Sequence, residues 1–373
     1  MPVGFKPTPF GLPSDNGGKD LGVFLPIANG GWILSRNKPE IDGSYDYNRT
    51  AALLADKGGF DFIMAMAKYR GYGGETHHWN RTLDSMMTVA GLAEATQNVK
   101  VWGTVHTLLQ NPAVVAKMVT TLDQISGGRA GLNVVTGSFR DEFAAMGAWR
   151  DDLGHDDRYD LAEEWVQIIK RLWREPSVSV SGQYFQMDDC RSEPKPSAEP
   201  FLVCAGTSQK GMQFSAQEMD AIFLTSDTPE ALAEISQMAR DKAAGVGRYL
   251  RTYAMMTVVT ARTDDEAEAL CEHYREGFDL EALYGMMRAY GFLDSEIGKE
   301  NDFVKKSRSS FMTPHVFGSP ATVIAKLSEV LETTDGLMLI FPDYSGGIAT
   351  FASEILPALR ERFPHKEEAS AYA

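Results

Sequence analysis

Short apolar runs, each followed by an amphipathic stretch, recur along this chain, and such alternation dictates a parallel sheet with crossover helices. Eight runs can be counted. They are LGVFLPI from Leu21, FDFIMAMA from Phe60, VKVWGTVHT from Val99, AGLNVVTG from Ala130, PFLVCAG from Pro200, AIFLT from Ala221, TYAMMTVV from Thr252 and GLMLIFP from Gly336. Eight is the number of parallel strands that closes a barrel. The expected fold is therefore α/β, a (β/α)8 TIM barrel, forming one domain over residues 20–373 behind an N-terminal surface arm of residues 1–19. Helix starts fall between the runs. Asn111-Pro112, Thr228-Pro229 and Ser319-Pro320 each set a capping side chain before a proline at the first helical position, and Thr263 to Glu266 reads as a capping box.

Three stretches exceed the minimal repeat and read as insertions. Residues 68–82 are rich in glycine and aromatics, residues 177–190 read as a β-hairpin outside the barrel, and residues 279–317 include a polar part from Gly298 to Pro314 suited to a mobile lid.

A length of 373 residues with 43% hydrophobic content can bury a large core. The formal net charge of -15, with no run of lysine or arginine, argues against nucleic-acid or anionic-membrane partners and toward small molecules. The three cysteines, Cys190, Cys204 and Cys271, lack the spacing of a zinc site or a disulfide framework. A reducing, cytoplasmic setting is expected, and the N-terminal stretch reads as neither signal peptide nor membrane span.

In such a barrel the chemistry sits at the C-terminal ends of the strands, so polar residues there carry weight. Thr104 and His106 lie near the end of the third run, Asn133 within the fourth, Lys68 after the second and Ser208 after the fifth. Each has a bland alternative. Thr104 reads equally as a β-former with a satisfied hydroxyl, His106 as a packed core histidine and Lys68 as a solvated side chain. Asn133 is the strongest, because asparagine is depleted in strands and its buried amide demands partners. His77-His78 and His155 lack companions at ligand spacing, so no metal is expected, and the histidine pair reads as a surface loop packed through Trp79. Arg158 sits at a helix start, where a cation opposes the dipole unless an anion offsets it. With Ser208 at the next helix start, it suggests a phosphate site.

Several blocks then carry a resemblance: GVFLPIANGGW, MAKYRGYGG, LDQISGGRAGLNVVTG, HDDRYDLAEEWV, GQYFQMDDCRSEPKPS and VCAGTSQKGMQFSAQ. From about Leu21 to about Phe363 the chain resembles the class C flavin-dependent monooxygenases of the bacterial luciferase-like superfamily, most of all their pyrimidine-ring-opening branch. The resemblance implies that Ala67, Lys68, Asn133, Glu142, Arg158, Tyr159 and Ser208 bind FMN. It further implies that Thr104 and Asn133 flank the reactive side of the flavin and hold dioxygen, with His106 beside them. FMN reduced by a separate NAD(P)H:flavin reductase would react with O2 as co-substrate, and a homodimer or higher homo-oligomer would form through barrel helices.

Differences from that branch fall in the expected substrate pocket. The chain has Ser138 and Phe139 where tryptophan follows the VTG block, Met64 in place of leucine, and His106 in place of a small residue. The resemblance thus implies oxygenation of a small N-heterocycle, with uracil as the lead. A sulfone or alkanesulfonate monooxygenase and a deazaflavin-dependent dehydrogenase are the alternatives on the same fold.

Overall fold

The structure is a computed structural model and describes residues 11–137 and 139–364, so the expectation for Ser138 lies outside the described residues. All eight apolar runs become barrel strands. These are β1 (Asp20–Phe24), β2 (Phe62–Met64), β3 (Lys100–His106), β4 (Ala130–Val135), β7 (Phe201–Cys204), β8 (Ala221–Leu224), β9 (Arg251–Thr260) and β11 (Gly336–Ile340). They pair in parallel in that order, and β11 returns to β1 at Asp20↔Gly336, so the sheet closes. The (β/α)8 barrel is the observed fold.

Closure leaves an inward face that side chains must fill. Large aromatics do so at the N-terminal end. The Phe62 ring stacks on Trp102 at 4.0 Å and on Tyr253 at 5.6 Å, and Trp102 stacks on Phe201 at 5.2 Å. Small residues make room for them: a Cβ at Gly22 would fall on the Phe62 ring, and one at Gly131 on the Trp102 indole. The barrel is a packed cylinder, open to chemistry at the opposite end.

Around it run α1 (Tyr45–Gly58), α2 (Ser85–Ala95), α3 (Pro112–Ser126), α5 (His155–Arg174), α6 (Gln209–Glu218), α7 (Pro229–Gly245), α8 (Asp264–Glu276) and α11 (Pro320–Thr333). Capping side chains fix the starts of most of them, although Ser319 leaves α11 uncapped by turning its hydroxyl to Thr322, and α5 starts on Gly154. Asn111 accepts from Ala113 N–H, Thr228 from Ala231 N–H and Thr263 from Glu266 N–H. On α5 the stripe Leu161, Trp165, Ile168, Ile169 and Leu172 is buried against the barrel. Among the described residues, no helix is long and apolar enough to cross a membrane.

The extra segments have definite structure. β5 (Val178–Ser181) and β6 (Gln186–Cys190) form an antiparallel hairpin whose tip is nested on Glu164 of α5. That carboxylate accepts from the backbone N–H groups of Gln183, Tyr184 and Phe185 at 3.0, 3.1 and 2.9 Å. The segment after α8 folds into α9 (Leu280–Ala289), α10 (Asp302–Ser307) and a ninth strand of the sheet, β10 (His315–Gly318), lying along the far end of β9. Asp279 bolts α9 to the 68–82 loop by accepting from Thr76 N–H at 2.7 Å and Ala282 N–H at 3.0 Å. A cavity of about 630 Å³ lies between this insertion, α7 and α11, walled by Leu232, Met256, Met286, Phe303 and Phe311.

The 68–82 loop departs from its surface reading. His78 is fully buried, stacked on Tyr72 at 6.2 Å and Trp79 at 5.2 Å. The reason is a close approach: Gly30, at φ 89°, brings its backbone against the imidazole where a Cβ would collide with Nδ1.

Candidate active site

The mouth opens where β2 and β3 part. Backbone pairing holds as far as Met64↔Trp102, and Ala65 N–H still donates to the Trp102 carbonyl at 3.0 Å. In register, the next rung would join Thr104 N–H to the Ala65 carbonyl. Instead the Ser85 hydroxyl, at the first turn of α2, occupies that rung. It accepts from Thr104 N–H at 2.8 Å and donates to the Ala65 carbonyl at 2.9 Å.

Strand alternation puts Met64, Thr104 and His106 on the inward face with Phe62 and Trp102. Met64 is buried at the rim. Thr104 Oγ donates to the Ala65 carbonyl at 2.6 Å, and Asn133, its partner in the β3–β4 register, donates its Nδ2 to that oxygen at 3.1 Å. Because the threonine proton is on the carbonyl, its oxygen can only accept, which fixes the asparagine amide with nitrogen inward. Asn133 Oδ1 is buried with no hydrogen-bond partner. His106 Nε2 meets the Ala67 carbonyl at 3.2 Å, so the ring proton sits there and Nδ1 is a buried, unpartnered acceptor. Burial lowers the His106 pKa below the ordinary histidine value, with the Ala67 hydrogen bond opposing.

Lys68 is far from the solvated side chain that its position suggests. It is 4% exposed and pairs with Glu142 of α4 (Arg140–Ala145), which also accepts from Tyr69 N–H at 2.6 Å. Its ammonium lies 3.7 Å from the Phe139 ring centroid and 5.1 Å from that of Tyr72. Burial depresses the lysine pKa, and the Glu142 charge works against that. A cavity of about 210 Å³ adjoins the pair, walled also by Tyr72, Phe139, Gly285 and Arg288. Phe139 packs on Tyr290 of the insertion at 5.4 Å.

Ser208 caps α6, its oxygen accepting from Gly211 N–H at 3.0 Å. The Tyr159 hydroxyl lies between the end of β4 and the start of α6, where burial raises its pKa and the Ser208 and Thr136 side chains oppose that. A Cβ at Gly206 or Gly211 would collide with that hydroxyl, so both glycines are needed for the approach. Arg158, in the first turn of α5, donates through Nη1 to the Leu153 carbonyl at 3.3 Å and lies 5.0 Å from the Trp149 ring, while its Nε is buried and unpartnered.

Thus the structure gathers two groups. Thr104, Asn133 and His106 sit at the β3–β4 rim with Ala67, Lys68 and Glu142 beside them, whereas Tyr159 and Ser208 come together at the start of α6, and Arg158, next to Tyr159 on α5, turns its guanidinium to Leu153 and Trp149. His155 is exposed beside Asp156 and joins neither. Ser85 escaped sequence reading, since a serine after an aspartate looks like an ordinary helix start.

Residues 20–335 match the family model described as luciferase-like monooxygenase. Pyrimidine monooxygenase RutA from Variovorax paradoxus is 37% identical over 352 residues, covering 92% of this chain and 95% of the relative. RutA from Acinetobacter baylyi is 38% identical, again over 92% and 95%. Among solved structures, long-chain alkane monooxygenase LadA superposes with a TM-score of 0.81 at 22% identity, covering 94% of this chain and 93% of that one. Riboflavin lyase RcaE, solved with modified FMN and riboflavin, gives 0.80 at 23% identity, over 92% of each. At those identities the two structures speak to the fold alone. The extent of the family match and the identity of the relatives over 92% of the chain show that this chain belongs to the luciferase-like monooxygenase family and is an oxidoreductase of that kind.

Proposed function

We propose that the chain is an FMN-dependent monooxygenase that uses reduced flavin and O2 to oxygenate, and ring-open, a small N-heterocycle of the pyrimidine type. The observation that carries this reading is a pair of orphaned polar groups, Asn133 Oδ1 in β4 and Arg158 Nε at the start of α5. A buried polar atom without a partner is unfavourable unless a ligand completes it. The residues fit FMN on this ground. A glycine-lined helix start with the Ser208 hydroxyl and Tyr159, and a guanidinium on the neighbouring helix, suits a phosphate, and the Asn133 amide suits a ring edge that both donates and accepts. When bound, FMN supplies the redox chemistry.

The chain's own residues orient and seal. Arg158, Tyr159 and Ser208 hold the phosphate end, and the Lys68–Glu142 pair, with Ala67, frames the ring end. Thr104 and Asn133 offer neutral donors to developing negative charge without surrendering a proton. His106, kept neutral by burial, presents an acceptor to a ring N–H. Met64 and Phe139 shape the apolar part of the pocket, and the 279–317 insertion keeps water out. A separate flavin reductase delivers the reduced cofactor. The relatives named pyrimidine monooxygenase, similar along nearly their whole length, support the substrate class. A homodimer through α2 and α3 accompanies this reading, since Met87 and Val114 stand 74% and 56% exposed there; light scattering on Met87→Lys tests it, with a monomer expected.

The test is oxygen consumption with supplied reductase across N-heterocycles, sulfones and sulfonates, with mass spectrometry of the products. A ring-opened uracil relative carrying one added oxygen is expected. Turnover of a sulfone with sulfite release, or substrate oxidation without O2, overturns the assignment.

A further inference from the structure

We infer that Ser85 is a positioning residue for the oxygen step, acting by leaving the Thr104 proton free to turn from the Ala65 carbonyl into the mouth. This deepens the function proposed above and rests on it.

The Ala65 carbonyl has two lone pairs and both are taken, by Thr104 Oγ at 2.6 Å and by Ser85 Oγ at 2.9 Å. As the apo mouth stands, the Thr104 hydroxyl is therefore spent: its proton is on the carbonyl and its oxygen accepts from Asn133. A threonine so engaged cannot stabilise developing negative charge. It becomes a donor only by rotating its O–H away from Ala65. In a buried site that would orphan the carbonyl, at the full desolvation penalty of an unsatisfied group. Ser85 removes the penalty, because its own hydroxyl stays on the carbonyl after Thr104 turns.

The geometry favours this over a simple capping role. Asp84 already caps α2 by accepting from Met87 N–H at 2.8 Å, so Ser85 is not needed for the helix start. The hydroxyl also holds the two segments apart at that rung, where Thr104 N–H donates to Ser85 and does not reach the Ala65 carbonyl. The inserted hydroxyl separates β2 from β3 by one bridging group, widens the mouth at that rung, and gives the carbonyl a second donor. Ser85 itself is buried and does not face the mouth as a free group, so it acts through Thr104.

A double-mutant cycle of Ser85→Ala and Thr104→Val tests this with two readouts. The first is the thermal midpoint of the flavin-free protein. Either single variant leaves the Ala65 carbonyl one donor and the double leaves none, so the double is expected to lose more than the sum of the singles. The second is coupling, the product formed per reduced FMN oxidised, with uracil and the other heterocycles of the screen. Ser85→Ala, by pinning the Thr104 proton on Ala65, is expected to lower coupling about a hundredfold, the low end for removal of a donor to developing charge. Adding it to Thr104→Val is expected to lower coupling no further. Additive midpoint losses overturn the shared carbonyl. Coupling losses that multiply overturn the action through Thr104, because a merely structural serine would damage both backgrounds alike. If the wild-type protein forms no oxygenated product, the proposed function falls and this role falls with it, while the midpoint cycle, which needs no flavin, still reports whether the carbonyl is shared.

Discussion

The carboxylate of Glu142 neutralises the ammonium of Lys68 inside the protein, where both side chains are 3% exposed, and so ties the loop after β2 to the loop after β4. A buried pair is sensitive to the loss of one member, because the survivor keeps its charge without compensation. Lys68→Met is expected to destabilise the fold by about 3–5 kcal/mol, and the double variant Lys68→Met, Glu142→Leu to recover most of that. Denaturant unfolding measures both. Wild-type stability in Lys68→Met would mean that the pair is solvated.

Arg158, in the first turn of α5 beside Tyr159, keeps its Nε buried and unpartnered. Arg158→Ala is expected to weaken FMN binding by about 1.5–3 kcal/mol, the usual scale for a hydrogen bond to a charged group. Flavin fluorescence titration reads this directly. Unchanged affinity removes Arg158 from the phosphate site.

His78 has its pKa lowered to about 3 by burial, with Lys38 adding to the effect and Asp279 opposing it. The folded value lies below that of an unfolded histidine, about 6.5. The unfolded chain therefore binds a proton first as pH falls, and stability present above pH 6.5 is lost progressively down to about 3. The loss from this residue is on the order of 3–5 kcal/mol. Both ring nitrogens lack partners, so His78→Phe is expected to be close to neutral at pH 7 and to flatten the acid limb of the stability profile. An unchanged acid limb refutes the assignment.

Arg129 carries a buried guanidinium with no carboxylate against it. It donates to the carbonyls of Ala93 and Thr96 at the end of α2, of Ser126 at the end of α3, and of Val99 before β3, at 2.6 to 3.0 Å. Helix C-terminal carbonyls carry partial negative charge, so one cation closes two helix ends at once. Arg129→Met strands several carbonyls and is expected to cost roughly 3–5 kcal/mol, while Arg129→Lys, with one nitrogen, recovers only part. Calorimetric unfolding distinguishes them.

Strand count, helix starts and barrel closure were legible because each apolar run repeats one local pattern, and local pattern is what periodicity reports. β10 was not, since HVFG is too short to alternate and pairs only because β9 runs on past the barrel rim. At the mouth, Asn133 stood out as a polar residue in a strand, and its register partner Thr104 followed. The burial of Lys68 was illegible because it depends on Glu142, 74 residues away. Ser85 was illegible for a different reason: its partners are backbone atoms of other strands, and those have no sequence signature. His78 was misjudged through its neighbours, since glycine and aromatic richness describes a surface loop and a small buried aromatic cluster equally well.

The stacked rings of Phe62, Trp102 and Tyr253 make the barrel a vessel stoppered at one end. Water, protons and dissolved gas then have one direction of traffic, past the 279–317 insertion. Under the proposed function, leakage of a reactive oxidant, and the pace at which solvent reaches it, would be properties of that insertion, while the rim residues would set what happens once a molecule has arrived. Permeability and reactivity are thereby written into different stretches of the chain, free to change independently.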